Sequence, residues 1–528
     1  MNNERRIKIF DTTLRDGQQC PGAGMNFQKN VEYAELARKV RVDVLEAGFP
    51  SANQVDFEIV RTIAQMYGGE ASAPVVAGLC QLRDEQVDIT IEALLPAVAR
   101  KRARLHTYVP VAPELMIASL GEKANKQQIQ KDVYDFVLRA VKAGLEVEFS
   151  PEGYSRQGEN FDFVSDLIRA AVEAGASVIN CPDTIGGACV YEGEEYFVEL
   201  MNRHAEIISR EFPGRDVTWS VHCHNDFGLA VQNSINGVFR GPARQIEGCF
   251  NGIGERAGNA ALESVIMIIK HFGRYADAKS PFSTGIEHSY LQEICDFVGA
   301  HMLPRQPHWP VSGENAARHS AGGHTNAILS NPLAYQPFDP REIGKNISFL
   351  FGPLSGSNHA QAIIQEAGYR CDESEKSAIA QFIKEHYQDR RKGITNEELL
   401  AGYFEYRKPM NLTTFNYSRS ANRSKICIEG SFFDRTGTVT EEYEGRESAL
   451  AALKKAIDPY LFVDIQSHKS QSDKVGIDAQ SISTIVVTDA DKNVYEGAGM
   501  DQDLEISAMR ALIDAVNKAY IDQHYRLR

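Results

Sequence analysis

Residues 218–230 read TWSVHCHNDFGLA. The first seven, Thr218 to His224, have the make-up of a strand and carry two histidines separated by one residue. Side chains alternate along an extended segment, so His222 and His224 point to the same side. Neutral imidazoles are the commonest metal ligands, but an HxH on a single strand says little by itself. Its meaning depends on the segments around it.

Similar apolar, β-branched runs recur through the first half: IKIF (7–10), VDVLEAGF (42–49), PVVAGLC (74–80), ARLHTYV (103–109), LEVEFS (145–150), SVINCP (177–182) and RQIEGCF (244–250). Segments of helical periodicity separate them. Val31 to Val40 has apolar residues at 31, 34, 36, 37 and 40, and Phe161 to Ala174 places Phe163, Leu167, Ile168, Ala171 and Val172 on one face. Strands buried on both sides and alternating with helices imply a parallel sheet. Eight such units fit a closed (β/α)8 TIM barrel, for which about 250 residues is typical. A doubly wound open sheet is the alternative.

Polar groups at the ends of the runs favour closure. Arg15 and Asp16 follow the first run, Glu46 lies in the second, and His106 and Tyr108 lie in the fourth. Ser150 and Glu152 end the fifth, Asn180 and Thr184 the sixth, His222 and His224 the seventh, and Asn251 the eighth. An open sheet would string these groups out, whereas a barrel brings strand ends together at its C-terminal rim.

The 528-residue chain is long enough for several domains, and 43% hydrophobic residues suit ordinary cores. No run is apolar enough for a membrane span, and the charged start MNNERRIKIF does not read as a signal peptide. A net charge of −15 with scattered basic residues argues against a nucleic-acid surface. The nine cysteines form no CxxC pair and read as reduced thiols of a cytoplasmic protein. Cys20 and Cys223 lie beside the polar groups but read as small buried hydrophobes.

The expected layout is a barrel over 1–275, a linker subdomain over 276–356, a helical subdomain over 357–420 and an α+β domain over 421–528. The linker holds the Gly/Ala/Asn/His-rich VSGENAARHSAGGHTNAILSNPLAY. From Lys425 a strand–charged turn–strand–helix pattern runs to Ile457, and it recurs from Ser483 to Tyr520. This duplication marks a domain with pseudo-symmetric halves.

Asp16, His222, His224 and Asn259 make an oxygen/nitrogen ligand set without thiolate, suited to catalytic Mg2+, Mn2+ or Zn2+. Arg15 could stabilise an enolate or a polarised carbonyl oxygen, or form a rim salt bridge with Asp16. GIGERA in NGIGERAGNAALE (251–263) meets a dinucleotide pattern, but it follows the last strand and lacks the later acidic residue. A glycine turn that brings backbone N–H groups near an anion is the better reading.

DTTLRDGQQ, EAGFP, HCHNDFGLA and NGIGERAGNAALE together resemble the family of 2-isopropylmalate, homocitrate and citramalate synthases. These are metal-dependent barrels that condense acetyl-CoA with a 2-oxo acid, and the likeness extends to their feedback-regulatory tail. The resemblance implies Asp16, His222 and His224 as metal ligands with Asn259 as a fourth, and Arg15 on the oxo acid's carbonyl. It places His106, Tyr108, Ser150, Asn180, Pro182 and Thr184 around the substrate, and Leu79 beside its side chain. HSAGGH resembles the family's H-x-x-G-x-H segment. That makes His324 the proton-abstracting base, acting with Glu152, and either could be the base itself.

Acetyl-CoA would lie across the loop at Gly252 and Gly254. The chain departs from the family at Gly323, where an aliphatic residue or serine is usual, and at Ile347, where some members carry tyrosine. GFP, NCPDT and the duplicated tail favour 3-methyl-2-oxobutanoate and the first step of leucine synthesis over pyruvate or 2-oxoglutarate. Related lyases that run the bond in reverse lack the tail. The resemblance also implies a homodimer or higher homo-oligomer with leucine as effector, bound near Gly497 and Gly499.

Overall fold

The computed structural model describes residues 4–527 apart from 71, 122–123, 391, 421, 445–447 and 474–479. Eight parallel strands form the barrel: β1 Arg5–Asp11, β2 Val44–Glu46, β3 Val75–Gln81, β4 Ala103–Pro110, β5 Glu146–Glu152, β6 Val178–Asp183, β7 Thr218–Cys223 and β8 Ala243–Gly248. Each pairs with the next, β8 pairs with β1, and the β1–β2 pairing closes the ring. A ninth strand, Phe282–Thr284, which the apolar runs do not announce, adds in parallel along the start of β1.

Burial explains the pattern. Every residue of β6 is buried, as a strand between barrel interior and helices requires. The helix Phe161–Ala174 turns Phe163, Val164, Leu167, Ile168, Ala171 and Val172 inward. Each large aliphatic side chain so buried contributes roughly 1.5–3 kcal/mol. The helix ends at Gly175, whose φ of 110° suits a residue without Cβ.

The barrel interior is not purely aliphatic. Arg104 is almost wholly buried and donates to Glu146 at 2.7 Å, Glu148 at 2.8 Å and Gln245 at 2.8 Å. Gln245 in turn donates to Glu148 and to Ser220 Oγ, and Ser220 donates to Glu247. This hydrogen-bonded floor lies inside strands that read as apolar.

The chain divides into two compact units. The first comprises residues 1–317 and 338–347, and the second comprises 318–337 and 348–528. Within the second, Arg318–His319 pairs in parallel with Ser348–Phe349. The helices Ser357–Glu366, Lys376–His386 and Asn396–Arg407 enclose a core that includes Ile363, Ile364, Ile379, Ile383, Leu399 and Tyr403.

The duplicated tail follows in the same unit. Each half has three antiparallel strands and a helix, not the two strands that its sequence pattern suggests. The first half runs Met410–Arg419, Arg423–Phe432, Arg435–Glu444 and helix Ala449–Ile457. The second runs Asp464–Ser472, Ser481–Thr488, Val494–Asp501 and helix Leu504–Tyr525. Ile426, Ile428, Leu453, Ile485, Leu512 and Val516 belong to one shared core. The tail's first sheet therefore starts at Met410, ahead of the boundary at residue 421 expected from the sequence. Among the described residues no helix is long and apolar enough to cross a membrane.

Candidate active site

Arg15 and Asp16 follow β1 on a turn in which Thr12 O accepts from the backbone N–H groups of Arg15 and Gly17. The Arg15 guanidinium donates through Nη1 to Asp16 Oδ2 at 2.7 Å and through Nε to Glu46 Oε2 at 2.6 Å. Glu46, fully buried on β2, lies 2.6 Å from His106 Nδ1. His106 Nε2 lies 2.7 Å from Ser150 Oγ, and Asn180 donates to that hydroxyl at 2.9 Å. One chain of contacts thus fixes groups from the ends of β1, β2, β4, β5 and β6.

On β7 the two rings face the same way, with His222 Nε2 3.4 Å from His224 Nε2. Asp16 Oδ2 is 3.5 Å from the first and 4.0 Å from the second. Asn259 donates to Asp16 Oδ1 at 2.8 Å and to Ile253 O at 3.1 Å. The Glu255 N–H also reaches Asp16 Oδ1, at 3.4 Å. The anion beside the glycine-rich turn is therefore the Asp16 carboxylate of the chain itself.

The charges are uneven. Burial would raise the Asp16 carboxyl, but Arg15, His222 and His224 hold it well below the usual range. Burial would lower the His222 imidazolium, yet Asp16 and Glu247 outweigh it and hold the ring up at about 9. His224, buried and beside that charge, is pushed down to about 4. Glu152 is raised by burial against the pull of Arg15. Burial also raises the buried Cys223 thiol, leaving it an inert neutral group beside the histidines.

Asp16, His222 and His224 offer three ligand atoms within 4.8 Å of one another. Nδ1 of His224 and Oδ1 of Asn259 are buried without a protein hydrogen-bond partner, and Nδ1 of His222 faces the Glu247 carboxylate at 3.3 Å. Two imidazoles, a carboxylate and no thiolate suit a hard or borderline divalent cation, so these residues fit a metal. His106, Glu148 and Glu247 also cluster. Both His106 nitrogens, however, are engaged by Glu46 and Ser150, and Glu148 is engaged by Arg104. This second group is part of the barrel floor. Within it burial and the Glu247 carboxylate push the Glu148 carboxyl up, against the pull of Arg104.

A cavity of about 210 Å3 opens over the cluster. Its lining brings together Arg15, Asp16, Leu79, His106, Tyr108, Ser150, Glu152, Asn180, Pro182, Thr184, His222 and His224. It also includes Gln19, Glu255 and Arg256, which the sequence reading does not single out. Arg256, in a left-handed conformation at φ 56°, donates to both Asp226 oxygens and to Thr184 O. Gln19 ends the single 3-10 turn Gly17–Gln19, and Glu255 and Arg256 lie on a loop, so no periodicity marks any of them.

Other positions have different roles. Asn251 donates to Cys295 O and does not line the cavity. A Cβ at Gly252 would meet Trp309 at 3.1 Å, and one at Gly254 would fall 2.0 Å from Asn259 Nδ2. Both glycines are needed for packing inside the loop. Gly497 and Gly499 are likewise covered by the helix Leu504–Tyr525, where added Cβ atoms would lie 2.1 Å from Ala511 O and 2.2 Å from Ser507 O. The close approach inferred for an effector at these two glycines is made by that helix. His324 belongs to the second unit, in the helix Gly322–Ser330, with its ring stacked on Tyr335 at 4.0 Å.

Residues 6–298 match the HMGL-like family, 311–392 the homocitrate synthase post-HMGL domain and 400–520 the LeuA allosteric (dimerisation) domain. The class is thus an HMGL-like (β/α)8 enzyme with a LeuA-type tail. A 2-isopropylmalate synthase of Rhodopseudomonas palustris is 34% identical over 97% of this chain and 95% of that relative. One from Methylococcus capsulatus is 33% identical over 97% and 96%. A solved HMG-CoA lyase of Bacillus subtilis is 16% identical, covers 58% of this chain and 97% of its own, and has a TM-score of 0.46. The chain belongs to the 2-isopropylmalate synthase family, which makes it an acyl-transferring enzyme.

Proposed function

We propose that this chain condenses acetyl-CoA with 3-methyl-2-oxobutanoate to give 2-isopropylmalate and free CoA, the reaction for which its relatives are named. The observation that carries this reading is the convergence of Arg15, Asp16, His222 and His224 on one small cavity whose lining also includes Leu79. A divalent metal held by Asp16, His222 and His224 would supply Lewis acidity toward the carboxylate and carbonyl oxygens of the oxo acid.

The protein's own groups account for the rest. A base takes a proton from the acetyl methyl, the enolate carbon attacks C2 of the oxo acid, and water then cleaves the thioester. Arg15, locked by Asp16 and Glu46, presents fixed donors to the oxygen that gains charge during attack. Its preorganisation avoids reorienting dipoles at the moment of reaction. The resemblance assigns proton abstraction to His324. Glu152, raised by burial, is the cavity carboxylate able to take or pass that proton. His106, fixed by Glu46, and Asn180 position the Ser150 hydroxyl, which faces the oxo acid in this reading.

In this reading the tail dimerises the enzyme and mediates feedback by leucine, which its match to the LeuA allosteric (dimerisation) domain supports. The test is CoA release by the purified enzyme with a panel of 2-oxo acids, with and without divalent metal. The highest kcat/KM is expected with 3-methyl-2-oxobutanoate, and activity should vanish on chelation. A clear preference for pyruvate or 2-oxoglutarate would overturn the assignment.

A further inference from the structure

Arg256 lines the cavity, and a guanidinium there invites assignment to a phosphate or carboxylate of the substrates. Its donors are engaged by the chain itself. Nε and Nη2 donate to the two Asp226 oxygens at 2.9 and 3.0 Å, and Nη2 also donates to Thr184 O at 2.7 Å. Thr184 follows β6, Asp226 follows β7 and Arg256 follows β8, so one side chain ties three neighbouring loops. The backbone is fitted to this tie. Gly186, at φ +61°, lies against the pair: a Cβ there would fall 2.5 Å from Asp226 Oδ2 and 2.8 Å from His224 O. Arg256 itself is held at φ 56°, a left-handed conformation that persists in a residue with a Cβ only where its surroundings over-determine it.

What the tie holds is the loop that meets Asp16. Next to Arg256 in sequence, the Glu255 N–H reaches Asp16 Oδ1, and the Asn259 amide donates to the same oxygen. The Asn225 N–H donates to Gly258 O at 2.9 Å and the Ala260 N–H to Cys223 O at 3.0 Å, so this loop also runs along the end of β7 beside both histidines. We propose that Arg256 is a positioning residue: with Asp226 and Thr184 O it clasps the loops after β6, β7 and β8, and so holds Asn259 and Asp16 in the arrangement that receives the metal. For its effect on turnover this rests on the condensation reading above; for its effect on metal binding it does not. With side chains 41% and 26% exposed, the ion pair adds little to stability. Its contribution is geometric, since a group that orients a metal ligand from outside is worth about 10–100-fold in metal affinity or activity.

The experiment uses the full-length enzyme and its Arg256→Gln, Asp226→Asn, doubly substituted and Arg256→Lys variants. Mn2+ affinity is measured by chelator competition without substrates, and CoA release at saturating Mn2+ with 3-methyl-2-oxobutanoate and with pyruvate. Either single neutralisation should weaken Mn2+ binding by about 10–100-fold and lower kcat. KM for acetyl-CoA and for the oxo acid should stay within about threefold of wild type, with the thermal midpoint little changed. The double substitution should do no more harm than one, because the effects of partners in one contact do not add. Lysine keeps the charge but not the planar fork, so Arg256→Lys should stay impaired.

A rise in acetyl-CoA KM of about tenfold or more in Arg256→Gln, absent from Asp226→Asn, would overturn the proposal and make Arg256 a cation for the acyl donor. Additive losses in the double variant would overturn it, as would wild-type Mn2+ affinity and kcat in both single variants or full recovery by lysine. If the wild type released CoA with neither acid, the condensation reading would fail, while weakened Mn2+ binding in the variants would still uphold the clasp.

Discussion

Asn259 reaches Asp16 across residue 254, which has no side chain: its Nδ2 lies 2.8 Å from Asp16 Oδ1, where a Cβ on Gly254 would fall 2.0 Å from the same nitrogen. Gly254 also sits at φ +146°, a conformation that L side chains rarely adopt. Gly254→Ala should therefore displace Asn259, itself the candidate fourth ligand, from the carboxylate while leaving His222 and His224 in place. A displacement of that kind costs about 100-fold in turnover. The strained residue itself costs about 1–3 kcal/mol of stability. Steady-state kinetics and thermal unfolding of the variant measure both effects. Activity within twofold of wild type, at saturating metal, would contradict the role given to this contact.

The two buried carboxyl groups of the barrel floor make a sharper pair. Glu247 Oε2 lies 3.3 Å from His222 Nδ1, opposite it in the β7–β8 register, whereas Glu148 pairs with Arg104. A carboxylate behind a metal-ligating histidine fixes the ring and raises its basicity, and losing it typically costs about 10–100-fold in metal affinity. Glu247→Gln should show that loss in a chelator-competition titration, and Glu148→Gln should not. Equal effects of the two substitutions would reduce Glu247 to a packing role.

These floor residues also mark where sequence reading stops. Paired apolar faces reveal buried parallel strands, and all eight barrel strands overlap the apolar runs. The strand ends that carry the candidate site are legible because His222, His224, Arg15 and Asp16 are out of place in a core. Arg104, Glu148, Gln245 and Glu247 are not legible. Written in a line they look like solvent-facing alternation, and only closure of the ring turns them on one another. The strand Asp464–Ser472 is missed for the opposite reason. It is mostly exposed, so its hydrophobic pattern is weak, and its pairing with Ser481–Thr488 is what holds it. Arg256 and Glu255 sit on a loop, where geometry and not periodicity brings them to the cavity.

His324 is the residue whose role most needs a direct test. His324→Ala should lower kcat about 10²–10⁴-fold, the usual contribution of a positioned base, with KM for the oxo acid little changed. A large KM increase at unchanged kcat would move it to substrate binding and leave Glu152 as the base.

A pH effect follows from His359. Its ring is almost wholly buried between Phe349 and Phe351, at 5.3 and 5.6 Å, with neither nitrogen bonded to a protein partner. Burial lowers its pKa from 6.5 to about 4. The unfolded chain therefore binds the proton first, so the neutral ring's contribution is complete above pH 6.5 and is lost as pH falls toward 4. The loss amounts to about 3 kcal/mol at 1.36 kcal/mol per pH unit. His359→Leu should flatten calorimetric stability between pH 6.5 and 4. It should also leave stability at pH 8 unchanged or higher, since it removes two unsatisfied buried groups. An unaltered acid slope would count against this account.

The tail's role can be tested by removing it, and the structure says where to cut. Met410–Arg419 pairs along its length with Arg423–Phe432, and the Met410 backbone is bonded at both N–H and C=O by the Asn517 side chain. A chain ended at residue 420 would keep that strand with an unpaired edge, an invitation to aggregate. One ended at Lys408 removes the sheet whole. It also loses the contacts of Arg370 N–H with Tyr525 O and of Leu527 N–H with Gly368 O, so the helical part loses a neighbour. Some loss of stability is expected there, while the first unit, with its own core, keeps its groups in place. Inhibition by leucine requires that leucine bind the active and inactive arrangements unequally. If its site is in the tail, the chain ended at Lys408 should keep measurable condensation activity and show no response to leucine at concentrations that inhibit the intact enzyme. Full leucine sensitivity without the tail would place the effector site elsewhere, and an intact enzyme indifferent to leucine would leave the tail with dimerisation alone.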